Sequence, residues 1–434
     1  MEDLDHRVNV AVIGAGWAGL AAAVALAQAG IPVTVFEAAR HVGGRARAVA
    51  IEGVELDNGQ HILIGAYSET LRMMRSVGAD PEQLLLRLPL ALEYPGKFHL
   101  RAPRLPAPLH LAAALLGAHG LTWGERLAAL RFMTAMRRIA YRIDADKPVS
   151  QLLAEQGQSG ALARYLWEPL CVSALNTPAA SASAQVFLNV LRDALDGARA
   201  HSDLLIPRVD LGRLFPRPAA DYVCANGGAL RLGAPVRTLD RAAGGFVVDA
   251  GPERYSHTIL AVGPHQVDAL LDRFAALAPM RQSIAALAYE PIYTCYLQYP
   301  PQVTMPQAMT GFDSGNIQWI FDRGRLNGIP GLLAAVISAR GAHQASSQDV
   351  LADAIHRELG AFLPGLPAPV WSRVIAEKRA TFSCRPGVAR PENRTAVDDL
   401  YLAGDYTASD YPATLEAAVR SGLLAADLVI KRKR

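Results

Sequence analysis

Residues 8–37 read VNVAVIGAGWAGLAAAVALAQAGIPVTVFE, and Gly43-Gly44-Arg45 stands six residues further on. A short β-rich run, Val8 to Ile13, enters Gly14-Ala15-Gly16-Trp17-Ala18-Gly19; an alanine-rich helical pattern follows, and a second β-rich run, Ile31 to Phe36, ends on Glu37. Together these parts make a βαβ dinucleotide-binding unit. Gly14 permits the tight strand-to-helix turn, Gly16 lets the backbone approach a pyrophosphate, and Gly19 lets the helix pack closely on the strands. The helix N-terminus offers unpaired N–H groups and the positive end of its dipole to phosphates. Glu37, at the tip of the second strand, can accept hydrogen bonds from ribose hydroxyls. A glycine pattern alone is common in turns; its specificity here comes from strand, helix, second strand and terminal acid all falling in place.

The 434 residues exceed the usual limit of a single core, so two intertwined domains are expected. Hydrophobic residues make up 51% of the chain and the mean hydropathy is +0.14, which leaves room for a lipophilic ligand or a membrane-facing patch. Val8 to Phe36 is uncharged and could pass for a transmembrane helix, but its glycines argue otherwise. Met1-Glu2-Asp3 is acidic where a signal peptide would be basic, so no export and a cytoplasmic location are expected. A formal charge of +3 with arginines dispersed along the chain gives no nucleic-acid footprint. The one basic block, Lys431-Arg432-Lys433-Arg434, reads either as a solvated end or as a contact for anionic lipid. Cys171, Cys224, Cys295 and Cys384 are too far apart for a local metal pattern, so they read as ordinary thiols of a reduced compartment and no metal site is expected.

Three blocks read as parts of one nucleotide domain: 1–66, 205–270 and 390–434. The second holds β-like runs at Ala229 to Leu232, Phe246 to Asp249 and Thr258 to Val262. The third holds a buried strand, Leu400 to Ala403, entering Gly404-Asp405, and then a helix from Leu415 to Ile430. A helical block at 67–204 and a mixed block at 271–389, with strand-like runs at Ile292 to Gln298 and Leu332 to Ser338, form the substrate domain.

Gly14-x-Gly16-x-x-Gly19, Glu37, Gly43-Gly44-Arg45 and Leu402-Ala403-Gly404-Asp405, with Pro412 to Ala418 before a terminal helix, resemble the FAD-dependent amine oxidase and phytoene desaturase superfamily. Three further segments, Asp57 to Tyr67, Trp167-Glu168-Pro169-Leu170 through Asn176-Thr177, and Gly404-Asp405-Tyr406-Thr407, are more closely similar to its hydroxysqualene dehydroxylase branch. The resemblance implies an α/β fold: a Rossmann-like FAD-binding domain of glutathione-reductase type with an interleaved α+β substrate domain. It also implies FAD as cofactor and a C30 isoprenoid as substrate. Gly43, Gly44 and Arg45 would face the pyrophosphate, Asp405 the ribityl chain, and the helix starting near Ala413 and Thr414 the flavin edge, stabilising negative charge there. The family reads adenine with a backbone amide, and Val236 is the matching position. No second dinucleotide fingerprint names an electron donor.

Removing an allylic hydroxyl as water needs a proton as well as a hydride. The sequence offers three acids: His61 after a glycine turn, Glu168 in an apolar helical pattern where burial would keep it protonated, and Asp410 before the Pro412–Ala418 segment. Their structural alternatives are a hydrogen-bonded histidine, a Glu that caps backbone or pairs with Arg164, and a plain loop. Leu105 to Trp123 is apolar but broken by Pro108, Gly117 and Gly120, and Arg126 to Arg142 alternates apolar and basic residues at helical spacing. That pattern suits either an interfacial helix giving peripheral membrane contact or a packed substrate-domain helix. Three other functions share these motifs: a carotenoid or phytoene desaturase, an amine oxidase, and a non-enzymatic flavin- or isoprenoid-binding protein. Amine oxidases usually carry an aromatic residue at the position of Thr414.

Overall fold

In the computed structural model, which describes residues 8–432, the strand Val10–Ile13 (β1) pairs in parallel with Val33–Glu37 (β2), and the helix Trp17–Gln28 (α1) connects them. The acidic start at Met1-Glu2-Asp3 and the last two basic residues, Lys433 and Arg434, lie outside the described residues. Helix α1 is apolar nearly all round because it is covered on both sides. One side rests on the sheet and the other meets the terminal helix Leu415–Arg432, so closely that a Cβ on Gly422 would stand 2.0 Å from the Ala18 carbonyl oxygen.

Strands from distant parts of the chain complete a five-stranded parallel sheet in the order Ala229–Leu232, β2, β1, His257–Leu260, Leu400–Leu402. The strands Val10–Ile13, His257–Leu260 and Leu400–Leu402 are buried runs rather than alternating ones, as a sheet covered on both faces requires, while the edge strand Ala229–Leu232 is largely exposed. The second large sheet is antiparallel: Met309–Gly311, Trp319–Asp322, Leu332–Ser338, Tyr289–Gln298, Trp371–Phe382. Helix Gln348–Phe362 covers it, with Leu351, Ile355 and Leu359 packed in one cluster with Cys295, Leu297, Ile320 and Leu333.

The block read as helical, 67–204, differs from that reading. It contains the strands Leu85–Leu88, Ala91–Tyr94 and Phe98–Arg101, and Leu204–Pro207 pairs with Leu85–Leu88 and Leu63–Ile64 rather than with the parallel sheet. These four-residue strands are too short to show a period of two against the helices around them. Cys171, Cys295 and Cys384 are buried and Cys224 is exposed. Among the described residues no helix is long and apolar enough to cross a membrane.

Candidate active site

Each glycine of the first turn has its own steric reason. Gly14 takes φ +108°, and a Cβ there would lie 2.5 Å from the Ala261 carbonyl oxygen. One on Gly19 would lie 1.9 Å from the Gly14 carbonyl oxygen, so this position sets how closely α1 seats on the turn. Gly16 is different: the nearest atom to an added Cβ is Gly44 Cα at 3.9 Å, so its missing side chain leaves open space. Gly43 N–H donates to the Ala15 carbonyl at 2.9 Å, which sets the second glycine turn against the first. Among the described residues no side chain caps the N-terminus of α1 and no acid lies in its first turn, so its free N–H donors and the positive end of its dipole face a cavity.

That cavity, of about 970 Å³, is lined by Gly14, Gly16, Glu37, Gly43, Gly44, Arg45, His61, Val236, Gly404, Asp405, Ala413 and Thr414. Of the residues assigned to the cofactor from sequence, only Gly19 is not in its wall. Glu37 accepts from Ala15 N–H and Ala39 N–H, each at 2.8 Å, and each carboxylate oxygen keeps a further lone pair. The Val236 amide makes no hydrogen bond among the described residues. Arg45 and Asp405, read as separate contacts to pyrophosphate and ribityl, are joined to each other: Nη2 lies 2.6 Å from Oδ1, while Nη1 donates to the Ala380 carbonyl at 2.7 Å. Burial works against the Arg45 charge, but attraction and hydrogen bonding to Asp405 outweigh it and raise its pKa. Thr414 caps the terminal helix, its Oγ1 accepting from Ala417 N–H at 3.2 Å, so the helix starts at Leu415 rather than at Ala413. An uncapped helix end, a glycine cradle and the Val236 amide, without a partner among the described residues, all fit a bound FAD.

The three acid candidates separate. Glu168 is exposed and outside the cavity wall, so the expected burial is corrected. The helix packs Leu162, Leu166, Trp167 and Cys171 inward, the π turn Ala163–Trp167 letting both Leu166 and Trp167 reach the core, and Glu168 falls on the side facing solvent. Nor does Glu168 pair with Arg164, whose partner is Asp313. Asp410 is exposed in a loop, 3.6 Å from Arg192, and is also absent from the wall. His61 does line the cavity, half-buried, with Nδ1 3.0 Å from the Gly59 carbonyl oxygen. Burial lowers its pKa, against the opposing pull of Gly59 and Asp57.

Four strand residues and one histidine of the wall carried no sequence signal. Tyr289, Glu377, Arg379 and Thr381 reach the wall from the antiparallel sheet, and His265 from the helix Pro264–Leu271. Asn176, in the left-handed conformation at a helix end, donates to Thr381 Oγ1 at 3.0 Å and accepts from Ala339 N–H at 2.8 Å, so it ties that helix to the sheet. Tyr406 was quoted only for its resemblance; its hydroxyl is buried and burial pushes its pKa far up.

The sequence profile of the family described as flavin containing amine oxidoreductase matches residues 17–430. A hydroxysqualene dehydroxylase of Rhodopseudomonas palustris is 31% identical, over 98% of this chain and 99% of its own length, and one of Zymomonas mobilis is 29% identical, over 96% and 98%. A zeta-carotene desaturase of Capsicum annuum is similar at 24%, over 96% of this chain and 80% of its own. Among solved structures, a putrescine oxidase variant superposes with a TM-score of 0.74 at 20% identity, covering 98% of this chain and 99% of its own, which speaks for the fold. The chain therefore belongs to the flavin-containing amine oxidoreductase family, as an FAD-dependent oxidoreductase of its hydroxysqualene dehydroxylase branch.

Proposed function

We propose that this protein removes the hydroxyl of hydroxysqualene reductively, giving squalene and water. The observation that carries this reading is end-to-end similarity to hydroxysqualene dehydroxylases, at higher identity than to the zeta-carotene desaturase. The cavity agrees with it, since the cofactor cradle continues into a wall that includes Ile62, Ala174, Leu270 and Ile292. An amine oxidase is less well supported, because Thr414, at the position where that group places an aromatic ring, is occupied in capping the terminal helix. When bound and reduced, FAD supplies the hydride for such a reaction.

The residues assigned to the cofactor keep those roles in this reading: Glu37 for ribose, Gly16, Gly43 and Gly44 for the pyrophosphate, Val236 for adenine, and Arg45 with Asp405 as a joined pair at the ribityl and phosphate end. The departing hydroxyl needs a proton. With Glu168 and Asp410 in solvent, the Tyr406 phenol is the lining donor this reading favours: burial, which pushes its pKa up, keeps it neutral and lowers its acidity, so its part is to hydrogen-bond the departing oxygen, and it has no acceptor among the described residues. Anaerobic incubation of the flavin-reduced protein with C30 alcohol, hydrocarbon and polyene, followed by product analysis, tests the assignment. Conversion of the alcohol to squalene is expected, and conversion of the polyene alone would favour a desaturase.

A C30 isoprenoid must leave a bilayer, and we assign the peripheral contact to the helices Leu109–Gly117 and Trp123–Arg138. Leu105, Leu109, Leu116, Trp123 and Leu127 are exposed there, Trp123 most of all at 67%. Arg104, Arg131 and Arg138 are exposed beside them, as at a lipid interface. In the described part of the basic tail the charges are already paired, Lys431 with Asp427 and Arg432 with Asp398 and Asp399; Arg137 likewise pairs with Asp196. Trp123→Ala is expected to lower partition onto anionic liposomes more than Lys431→Ala does. The opposite order would return the contact to the tail.

A further inference from the structure

His61 enters the cavity from a turn that leaves its ring little choice. A carbonyl oxygen can only accept, so the 3.0 Å contact to Gly59 places the imidazole hydrogen on Nδ1. In the neutral ring Nε2 is then a bare acceptor. The turn itself is held from both sides. Gln60 Nε2 donates to the His61 carbonyl at 3.1 Å, and Gln60 N–H donates to Thr294 Oγ1 at 3.4 Å. Arg323, 1% exposed, donates to Gln60 Oε1 at 2.5 Å and to Asp57 Oδ2 at 3.3 Å, and Asp57 also accepts from Leu211 N–H at 2.8 Å. The charged groups acting on the ring are Asp57, which favours its protonation, and Arg45, which opposes it.

An acceptor fixed in the wall of the site discriminates between ligands. A ligand with a hydroxyl satisfies it; a hydrocarbon of the same length takes away its water and gives nothing in return. We infer that His61 is the specificity-determining residue of this site: its Nε2 accepts the hydrogen bond of the substrate hydroxyl, so that the alcohol is retained and the hydrocarbon is released. This rests on the reading of the substrate as an allylic C30 alcohol. It also reverses the role read from sequence, because the ring acts here as an acceptor and the proton for the leaving group comes from elsewhere.

The test uses the oxidised holoenzyme, which binds without turnover. Dissociation constants for hydroxysqualene and squalene in detergent are read from flavin fluorescence. The alcohol is expected to bind about tenfold more tightly to the wild type, the effect of one satisfied against one unsatisfied buried acceptor. His61→Leu is expected to abolish the difference and His61→Gln, whose amide oxygen accepts, to restore part of it. Retention of the tenfold preference in His61→Leu would overturn the inference. A readout independent of variant folding is the ¹⁵N spectrum of the wild-type holoenzyme labelled at histidine. The resonance missing in His61→Gln should report a protonated Nδ1 and a bare Nε2 at pH 7.5, and the reverse tautomer or the imidazolium would overturn the inference on its own. The two readings fail differently. A reduced wild type that converts hydroxysqualene, but whose preference survives loss of His61, loses only this inference. A wild type that binds neither ligand loses the proposed reaction and the inference together.

Discussion

The parallel and antiparallel sheets contribute to one cavity by different means. The parallel sheet contributes backbone: turn amides, glycines and the end of α1, with Glu37 serving to pin that backbone through Ala15 and Ala39. The antiparallel sheet contributes side chains, Tyr289, Glu377, Arg379 and Thr381, whose placement depends on how distant strands pair. Backbone chemistry needs a fixed local spacing and little else. Side-chain chemistry needs the fold.

The largest effect should come from the first turn. Gly19→Val forces a Cβ into the Gly14 carbonyl and is expected to cost about 4 kcal/mol or more, seen as loss of folded protein on thermal melting. Gly16→Val has open space before it and should melt near the wild type without added FAD, yet fail to retain FAD. Equal melting of the two variants would break the distinction between a packing glycine and a ligand-facing one.

Next in size is Arg323→Met, at the seam between the sheets. It leaves Asp57 buried without its cation and is expected to cost about 3 to 5 kcal/mol in denaturant unfolding. A cost under about 1 kcal/mol would mean that Asp57, whose pKa burial raises, already sits protonated.

Side-chain chemistry at the parallel sheet itself is probed by Tyr406→Phe, in the turn after Leu400–Leu402, expected to slow single-turnover flavin reoxidation by hydroxysqualene about 100-fold while FAD affinity holds. Glu168→Gln and Asp410→Asn, both in solvent, should change that rate less than about twofold. A large loss in either exposed variant with Tyr406→Phe unaffected would reassign the donor.

The smallest effect is a pH dependence. His61, His110, His257, His265 and His343 all have lowered pKa values, with burial the first cause in each. Below the ordinary histidine value of about 6.5 the unfolded chain binds protons that the folded chain refuses, so stability is held above that pH and lost as pH falls through it. Asp57, raised rather than lowered, works in the opposite sense. The melting temperature should drop by about 2 °C or more between pH 7 and pH 5.5. A rise over that interval would mean the imidazoles are protonated in the fold.

Most of the cavity wall assigned to the cofactor was legible because its parts obey local rules. The turn at Gly14–Gly19, the acid ending β2 and the Gly404-Asp405 turn each need only neighbouring residues to be recognised, and all meet one cavity except Gly19, whose task is packing. Glu168 was misread because the apolar run Tyr165 to Leu170 does not say which side of the helix meets the core; the packed chain buries Leu166 and Trp167 and leaves Glu168 in solvent. The short strands between Leu85 and Arg101 were missed because four residues cannot outweigh the helical pattern on either side.

By itself the sequence determined the βαβ unit, the dinucleotide chemistry and the terminal helix, since glycine spacing and strand composition act within a few residues. Tertiary structure alone decided that Arg45 would bind Asp405, 360 positions away, that Asn176 would tie a helix end to the antiparallel sheet, and that Arg323 would hold the turn before His61. It also decided which acids meet solvent. Burial and long-range pairing belong to the whole packed chain: the free energy of a charge or a hydroxyl depends on what surrounds it, and those surroundings come from segments hundreds of residues apart.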